Sequence, residues 1–232
     1  MSHLVGRGQC STCHIRHLSI FAELNDEGIA NIRSFNPSVL TFGADEVVYR
    51  QQDPANNAYT LRHGVVKLVK ILPNGRSQIV RLLHGGDLFG FDGFAGENYN
   101  HTAIALTDAE VCRLPLRELM ELKKQNPAIE EAMMMRWIVH LREAEDMMVE
   151  LGAKKASERL ASFLIRWCEG QVWTELPLSR MEIGELLGLT VETVSRFLSD
   201  WKRKGLFDEQ RGEVRIQDVQ ALREYACVNG NC

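Results

Sequence analysis

The sequence predicts an α+β protein: an N-terminal antiparallel β-roll, one long helix and a C-terminal winged helix-turn-helix. Three observations carry the prediction. Short β-rich segments separated by turn residues occupy 40–114, the pattern of an antiparallel barrel or roll. Apolar residues spaced by threes and fours run through 127–151, which is coiled-coil spacing. Residues 179–205 then form two helical segments hinged on a glycine. The organisation expected is a cysteine-bearing segment at 1–20, a β-roll at 21–125 and, at 126–151, a helix apolar on two sides that either pairs with a second copy or is buried within one domain. A winged helix-turn-helix at 152–226 and a tail at 227–232 complete it.

In chain order, residues 1–20 are short on core-forming side chains and hold CSTCHIRH, Cys10 to His17. A first helix is expected near Asn25–Ser34, with Leu24, Ile29 and Ile32 facing inward. The segments VVYR, VVKLVKIL and QIVRLL follow as strands. Pro73-Asn74-Gly75 separates two of them, a hairpin signal because Asn and Gly tolerate positive φ. Pro127 suits the first turn of the long helix. Met134, Trp137, Leu141, Ala144, Met148 and Leu151 form one apolar stripe along it. Met133, Ile138 and His140 belong to a second, expected to pack on the β-roll. Glu143, Glu145 and Asp146 crowd the first stripe with like charge.

Beyond Gly152, AKKASERLASFLIRWC opens the C-terminal domain. Ser179 with Glu182 three residues on is a capping box. Gly188 supplies the left-handed turn, and Thr190 caps a second helix that Gly205 ends. Val194, Phe197, Leu198 and Trp201 face inward on that helix, whereas Glu192, Ser195, Arg196, Ser199 and Arg203 line the opposite side. A polar-faced second helix in this arrangement is suited to the DNA major groove. Glu accepts from cytosine, Arg donates twice to guanine, and Ser serves bases or phosphate. Thr193, Lys202 and Arg203 complete the candidate DNA contacts. Glu213–Ile216 is expected in a small wing, and Gln217–Tyr225 in a last short helix.

Bulk properties bound the alternatives. The chain is 45% hydrophobic and 25% charged, ordinary for a soluble globular protein. No apolar run approaches the ~18 residues of a membrane span, and the N-terminus lacks a signal-peptide core. A cytoplasmic protein without a membrane partner is expected. Net charge is −4, and residues 154–226 carry twelve Lys+Arg against twelve Asp+Glu. DNA binding would therefore depend on local clustering of Arg196, Lys202, Arg203, Lys204 and Arg211.

LTVETVSR, residues 189–196, closely resembles the recognition helix of the CRP/FNR family of bacterial transcription regulators, in its FNR branch. The resemblance implies that Glu192, Ser195 and Arg196 read half-site bases. It further implies a homodimer on a TTGAT-N4-ATCAA-like palindrome, RNA polymerase as a partner, and an activator of oxygen- or redox-linked genes. Gly85–Asp92 is similar to the glycine-rich turn of the family's cyclic-nucleotide-binding-type domain. Phe91 stands where nucleotide-binding members carry a glutamate, and His101 where they carry an arginine. A neutral imidazole replaces a bidentate guanidinium poorly, so cyclic AMP is not expected as a ligand.

Cys10, Cys13 and Cys112 match three ligands of the [4Fe–4S] cluster held by FNR-type sensors. Such a cluster takes four thiolates, and the positions where the family places the remaining one are Ser19 and Phe21. Three readings stand. A histidine (His14 or His17) or a tail cysteine completes a cluster, or one iron is left open. Alternatively the cluster is lost, as in FixK-type relatives that answer to expression level or thiol oxidation. Finally, Cys10 and Cys13 form a redox dithiol. Cys168, beside Trp167 on an apolar helix, is expected to be packing. A nucleotide-regulated enzyme subunit and an iron–sulfur electron carrier are rivals from other classes. Neither gives LTVETVSR a purpose.

Overall fold

The structure, a computed structural model, describes residues 3–8, 10, 13–22, 37–168 and 170–226. The helix expected near 25–34 and the tail with Cys227 and Cys232 lie outside the described residues. The chain divides into two compact units, Met1–Arg142 and Glu143–Cys232.

The first unit is the antiparallel roll. Its strands are β1 (His3–Arg7), β2 (Ser38–Phe42), β3 (Val47–Tyr49), β4 (Asn57–His63) and β5 (Val66–Ile71). β6 (Ser77–Leu83), β7 (Leu88–Phe89), β8 (Thr102–Ala105) and β9 (Ala109–Pro115) complete the set. They form a five-stranded sheet ordered β1-β2-β9-β4-β7 and a four-stranded sheet ordered β3-β8-β5-β6. The hairpin expected at Pro73-Asn74-Gly75 joins β5 to β6. Gly75 adopts φ +82° there, and Asn74 Oδ1 accepts the Arg76 N–H at 3.1 Å.

Inward-facing residues of both sheets make one core, including Phe42, Tyr49, Tyr59, Leu61, Val66, Leu83, Phe89 and Val111. A second cluster forms where α1 (Leu116–Gln125) and the start of α2 (Pro127–Ala153) pack on the roll. Leu119, Leu122, Ile129 and Met133 are buried there beside Ile20 and Phe21. The N-terminal segment is thus less poor in core residues than its composition suggests, since Ile15, Ile20 and Phe21 are all buried. β1 was not expected either. It forms by pairing with β2 through an irregularity between Leu4 and Gly6.

In the second unit, α3 (Ala156–Trp167) is followed by β10 (Thr174–Glu175), α4 (Arg180–Leu187) and α5 (Val191–Arg203). The wing strands β11 (Phe207–Gln210) and β12 (Glu213–Ile216) and a last helix, α6 (Val219–Ala226), complete it. The three short strands pair as β10-β12-β11. Arg159 on α3 donates to Lys154 O at 3.0 Å and to Leu187 O at 3.1 Å, satisfying a carbonyl at the end of α4. Cys168 is buried at the end of α3, and burial pushes its thiol up to about 11.

The turn between α4 and α5 requires two glycines. Gly188 has φ +63°. A Cβ at Gly184 would lie 2.6 Å from the Leu189 carbonyl oxygen, because the Leu189 N–H donates back to Gly184 O at 2.9 Å. Alanine is the better helix former by about 1 kcal/mol, yet the overlap here is with backbone and cannot be relieved by a rotamer. Gly184→Ala is therefore expected to destabilise the second unit by about 1–3 kcal/mol, measured by denaturant unfolding. A gain in stability would contradict the close approach.

Candidate nucleic-acid interface and thiol site

Both ends of the helix pair are closed by local hydrogen bonds. Ser179 Oγ accepts the Glu182 N–H at 3.2 Å, and Glu182 Oε2 accepts the Ser179 N–H at 2.7 Å. Thr190 Oγ1 accepts the Thr193 N–H at 3.2 Å and caps α5. Val194, Leu198 and Trp201 are buried on the inner face of α5, while Phe197 is half-buried and stacks on Trp201. The opposite side presents Glu192, Arg196 and Ser199 to solvent, with Thr193 and Ser195 partly covered at its flanks. The Arg196 guanidinium lies 5.2 Å from the Phe197 ring centre, a cation–π contact that biases where it points. Five of the side chains proposed to read or hold DNA thus share one surface with a rigid floor beneath it.

The cations at the end of α5 are less available than their sequence suggests. Arg203 and Lys204 both face Asp200, at 2.6 and 2.8 Å. Lys202 faces Asp208 on the wing at 3.3 Å and donates to the Glu209 carbonyl. Arg180, at the start of α4, meets the Glu209 carboxylate at 2.6 and 2.7 Å. The pairs of Lys202 and Arg180 with Asp208 and Glu209 form only once the wing has folded. Those of Asp200 with Arg203 and Lys204 lie at i,i+3 and i,i+4 on one helix and were open to the sequence.

On α2, Met134, Trp137, Leu141, Ala144 and Met148 are exposed and Leu151 is partly buried. Exposures of 55, 60 and 65% for Met134, Leu141 and Met148 make this stripe unusual for a monomer surface. Of the second stripe, Met133 is buried and His140 partly so, but Ile138 is exposed. Ile129, not Ile138, is the partner of Met133 in the core, because the roll covers only the first turns of that face. Trp137 serves both sides, setting its ring edge-on to Phe91 and Phe94 at 6.1 and 6.3 Å.

Those aromatic rings border a cavity of about 430 Å³ in the roll, lined also by Arg81, Asp92, His101 and His140. Burial lowers the His101 pKa, partly offset by Asp92, whose carboxylate is 3.9 Å away. Burial likewise takes His140 down to about 4. Both imidazoles are neutral at pH 7, and the Arg81 guanidinium is already held by Asp87 at 3.3 Å.

Cys112 lies on β9, and the chain passes over it at Gly8, where an added Cβ would sit 3.3 Å from its Sγ. Cys10 and Cys112 both pack against the Phe21 cluster. Burial, then neighbouring thiols, push Cys10 up to about 11 and Cys112 up to about 12, against smaller lowering by Arg62. Cys10 and Cys112 thus share one apolar environment. The fourth positions do not fit a cubane cluster. Ser19 is buried, with Oγ donating to Arg16 O at 2.8 Å and accepting the Phe21 N–H at 3.2 Å. Phe21 is core. His14 lines a separate cleft with His3, His63 and Glu110, and His17 is exposed. Among the described residues, no group of three or more His, Cys, Asp or Glu has metal-holding geometry.

Protonated thiols are slow nucleophiles. Iodoacetamide should label Cys10 and Cys112 in the folded protein ever faster up to pH 10, whereas an ordinary thiol of pKa about 8.5 levels off sooner. Peptide mass spectrometry of a pH series checks this. A plateau by pH 9 at either residue would show that its thiol is not desolvated.

The comparisons agree with this architecture. Residues 39–126 match the cyclic nucleotide-binding domain family, and residues 158–225 match the Crp-like helix-turn-helix domain family. The transcriptional activator protein Anr of Pseudomonas aeruginosa is 31% identical over 220 residues, covering 91% of this chain and 90% of the relative. The nitrogen fixation regulation protein FixK of Bradyrhizobium diazoefficiens is 31% identical over 224 residues, covering 92% and 93%. Among solved structures, FixK2 from Bradyrhizobium japonicum superposes with a TM-score of 0.75 at 30% identity, over 84% of this chain and 99% of that one. Sensor roll and helix-turn-helix follow one another in a single chain related end to end to regulators rather than enzymes, and the protein belongs to the CRP/FNR family of transcription regulators, on its FNR/FixK side.

Proposed function

We propose that the protein is a homodimeric, sequence-specific transcription regulator, an activator, that binds a TTGAT-N4-ATCAA-like palindrome and controls oxygen- or redox-linked genes in the cytoplasm. The observation that carries this reading is the exposed face of α5, where Glu192, Ser195 and Arg196 stand above a buried apolar floor. Thr193 and Ser199 extend the base-reading set, and Lys202 and Arg203 serve phosphates. RNA polymerase is the further partner that activation requires. Among the described residues, no helix is long and apolar enough to cross a membrane.

The apolar stripe of Met134, Trp137, Leu141, Ala144, Met148 and Leu151 supports a dimer through α2. Two-fold symmetry then matches a palindrome whose half-sites lie about one DNA turn, ~34 Å, apart. Glu143, Glu145 and Asp146 put like charge beside that seam, so dimerisation is set to be marginal and adjustable. The cavity chemistry supports a regulator that does not answer to cyclic AMP, since its imidazoles are neutral and its arginine is engaged.

For the signal, a [4Fe–4S] cluster would draw on Cys10, Cys13 and Cys112 and would still need a fourth donor. The burial of Ser19 and Phe21 favours the reading without a cluster, in which the protein binds DNA as made and responds through its amount or slow thiol oxidation.

Two measurements test the proposal. Arg196→Ala should cost about 1–3 kcal/mol at its base pair and relax specificity there, read by anisotropy on a palindrome and its single-base variants. Equal loss on every sequence would mean that Arg196 only holds phosphate. Protein purified without oxygen should contain far less than the ~4 irons per subunit of a cubane cluster, and air should leave operator binding unchanged. Stoichiometric iron and sulfide with air-sensitive binding would overturn the cluster-free reading.

A further inference from the structure

Residues 179–216, from the cap of α4 to the end of the wing, carry seven Lys+Arg and seven Asp+Glu. Five of the seven cations face a carboxylate. Arg180 meets Glu209, Lys202 meets Asp208, and Arg203 and Lys204 share Asp200. Arg215 lies 3.9 Å from Asp208. Among the described residues, only Arg196 and Arg211 of the seven have no carboxylate within ion-pair distance. Arg196 is the proposed base reader. Arg211 stands at the wing tip with φ +48°, a conformation uncommon outside glycine, asparagine and aspartate.

We propose that Asp200, Asp208 and Glu209 are specificity residues: they neutralise the cations flanking the recognition face and so hold down sequence-independent attraction to DNA. The proposal rests on the reading of α5 as the recognition helix. Sequence-independent binding comes almost entirely from cations that displace counterions from phosphates. Within a Debye length of ~8–10 Å, each carboxylate offsets one positive charge, so Asp200, Asp208 and Glu209 reduce the five cations they face to a net charge of two. Asp200 makes the case best. It sits in the last turn of α5, where the helix dipole disfavours a carboxylate and offsets the small gain from its ion pairs. Its two partners lie three and four residues on, on the same face.

At an operator, base contacts fix one register, so Lys202 and Arg203 meet phosphates in that register alone and freeing the paired cations gains little more. On arbitrary DNA the protein can settle wherever the released cations are best served. Freeing them should therefore favour the wrong sequences more than the right one.

The test uses the full-length protein, a duplex carrying the palindrome and a scrambled duplex, in anisotropy titrations over a salt series. Asp200→Asn, alone and with Asp208→Asn, should bind the scrambled duplex several-fold more tightly. The slope of log K against log salt should steepen by about 0.9 for each cation released. Affinity for the palindrome should rise less, so the ratio of the two falls. Asp200→Glu should restore that ratio, which a merely misfolded variant could not do. Glu121→Gln removes the same charge from an ion pair in the first unit and should leave both affinities unchanged. Unchanged scrambled binding, equal gains on both duplexes, or an equal effect of Glu121→Gln would each overturn the assignment. A wild-type protein with no preference for the palindrome would instead sink the recognition reading, and this proposal with it.

Discussion

The exposed face of α5 depends on one backbone-to-backbone approach, the Leu189 carbonyl lying against Gly184. That contact lets the chain reverse within three residues, and Gly188 completes the reversal in the left-handed region. Once the turn is set, the caps at Ser179 and Thr190 decide where each helix begins. Arg159 then closes the end of α4 from α3. The side chains of α5 have little freedom left. Val194, Leu198 and Trp201 must point inward, and Glu192, Arg196 and Ser199 are left outside.

The charges on this surface follow a different logic from its shape. A DNA-binding face can attract by excess positive charge or recognise by placed contacts, and the balance of seven against seven places this one with the second kind. Weak surface pairs contribute little to stability, so the pairs here cannot be explained as scaffolding. Their effect is on the field that a phosphate backbone meets. The first unit is itself neutral, fifteen Lys+Arg against fifteen Asp+Glu, and the net charge of −4 comes from Glu143, Glu145, Asp146 and Glu150 on α2, so nothing outside this surface adds long-range attraction.

What was legible in the sequence was what is decided locally. Capping boxes, the Pro73-Asn74-Gly75 turn and the apolar spacing of α2 are properties of a few neighbouring residues, and all appear where expected. What depends on distant pairing was not legible. HLVGR becomes a strand only because β2 is there to pair with it. The run Lys202-Arg203-Lys204 offers three cations for phosphate, and the engagement of Lys202 by the wing carboxylate Asp208 is of this distant kind. Gly184 looked like an ordinary helical position, and nothing within its own helix marks it as indispensable.

The thiol site shows the same division between spacing and environment. Cys10, Cys13 and Cys112 are grouped in the sequence by a family resemblance, and Cys10 and Cys112 pack on one apolar cluster. Reactivity, however, is set by surroundings. A thiol suited to fast redox sensing needs nearby cations or a helix N-terminus to hold the thiolate. Cys10 and Cys112 have the opposite, since burial and a neighbouring thiol, Cys13 beside Cys10 and Cys10 beside Cys112, outweigh Arg62. Only a metal would deprotonate such thiols near neutrality, and the positions for a fourth ligand hold a bonded hydroxyl and a phenyl ring. The same burial that packs Cys10 and Cys112 on this cluster raises their pKa, and Ile20 and Phe21 in the same cluster pack the N-terminal segment on the roll.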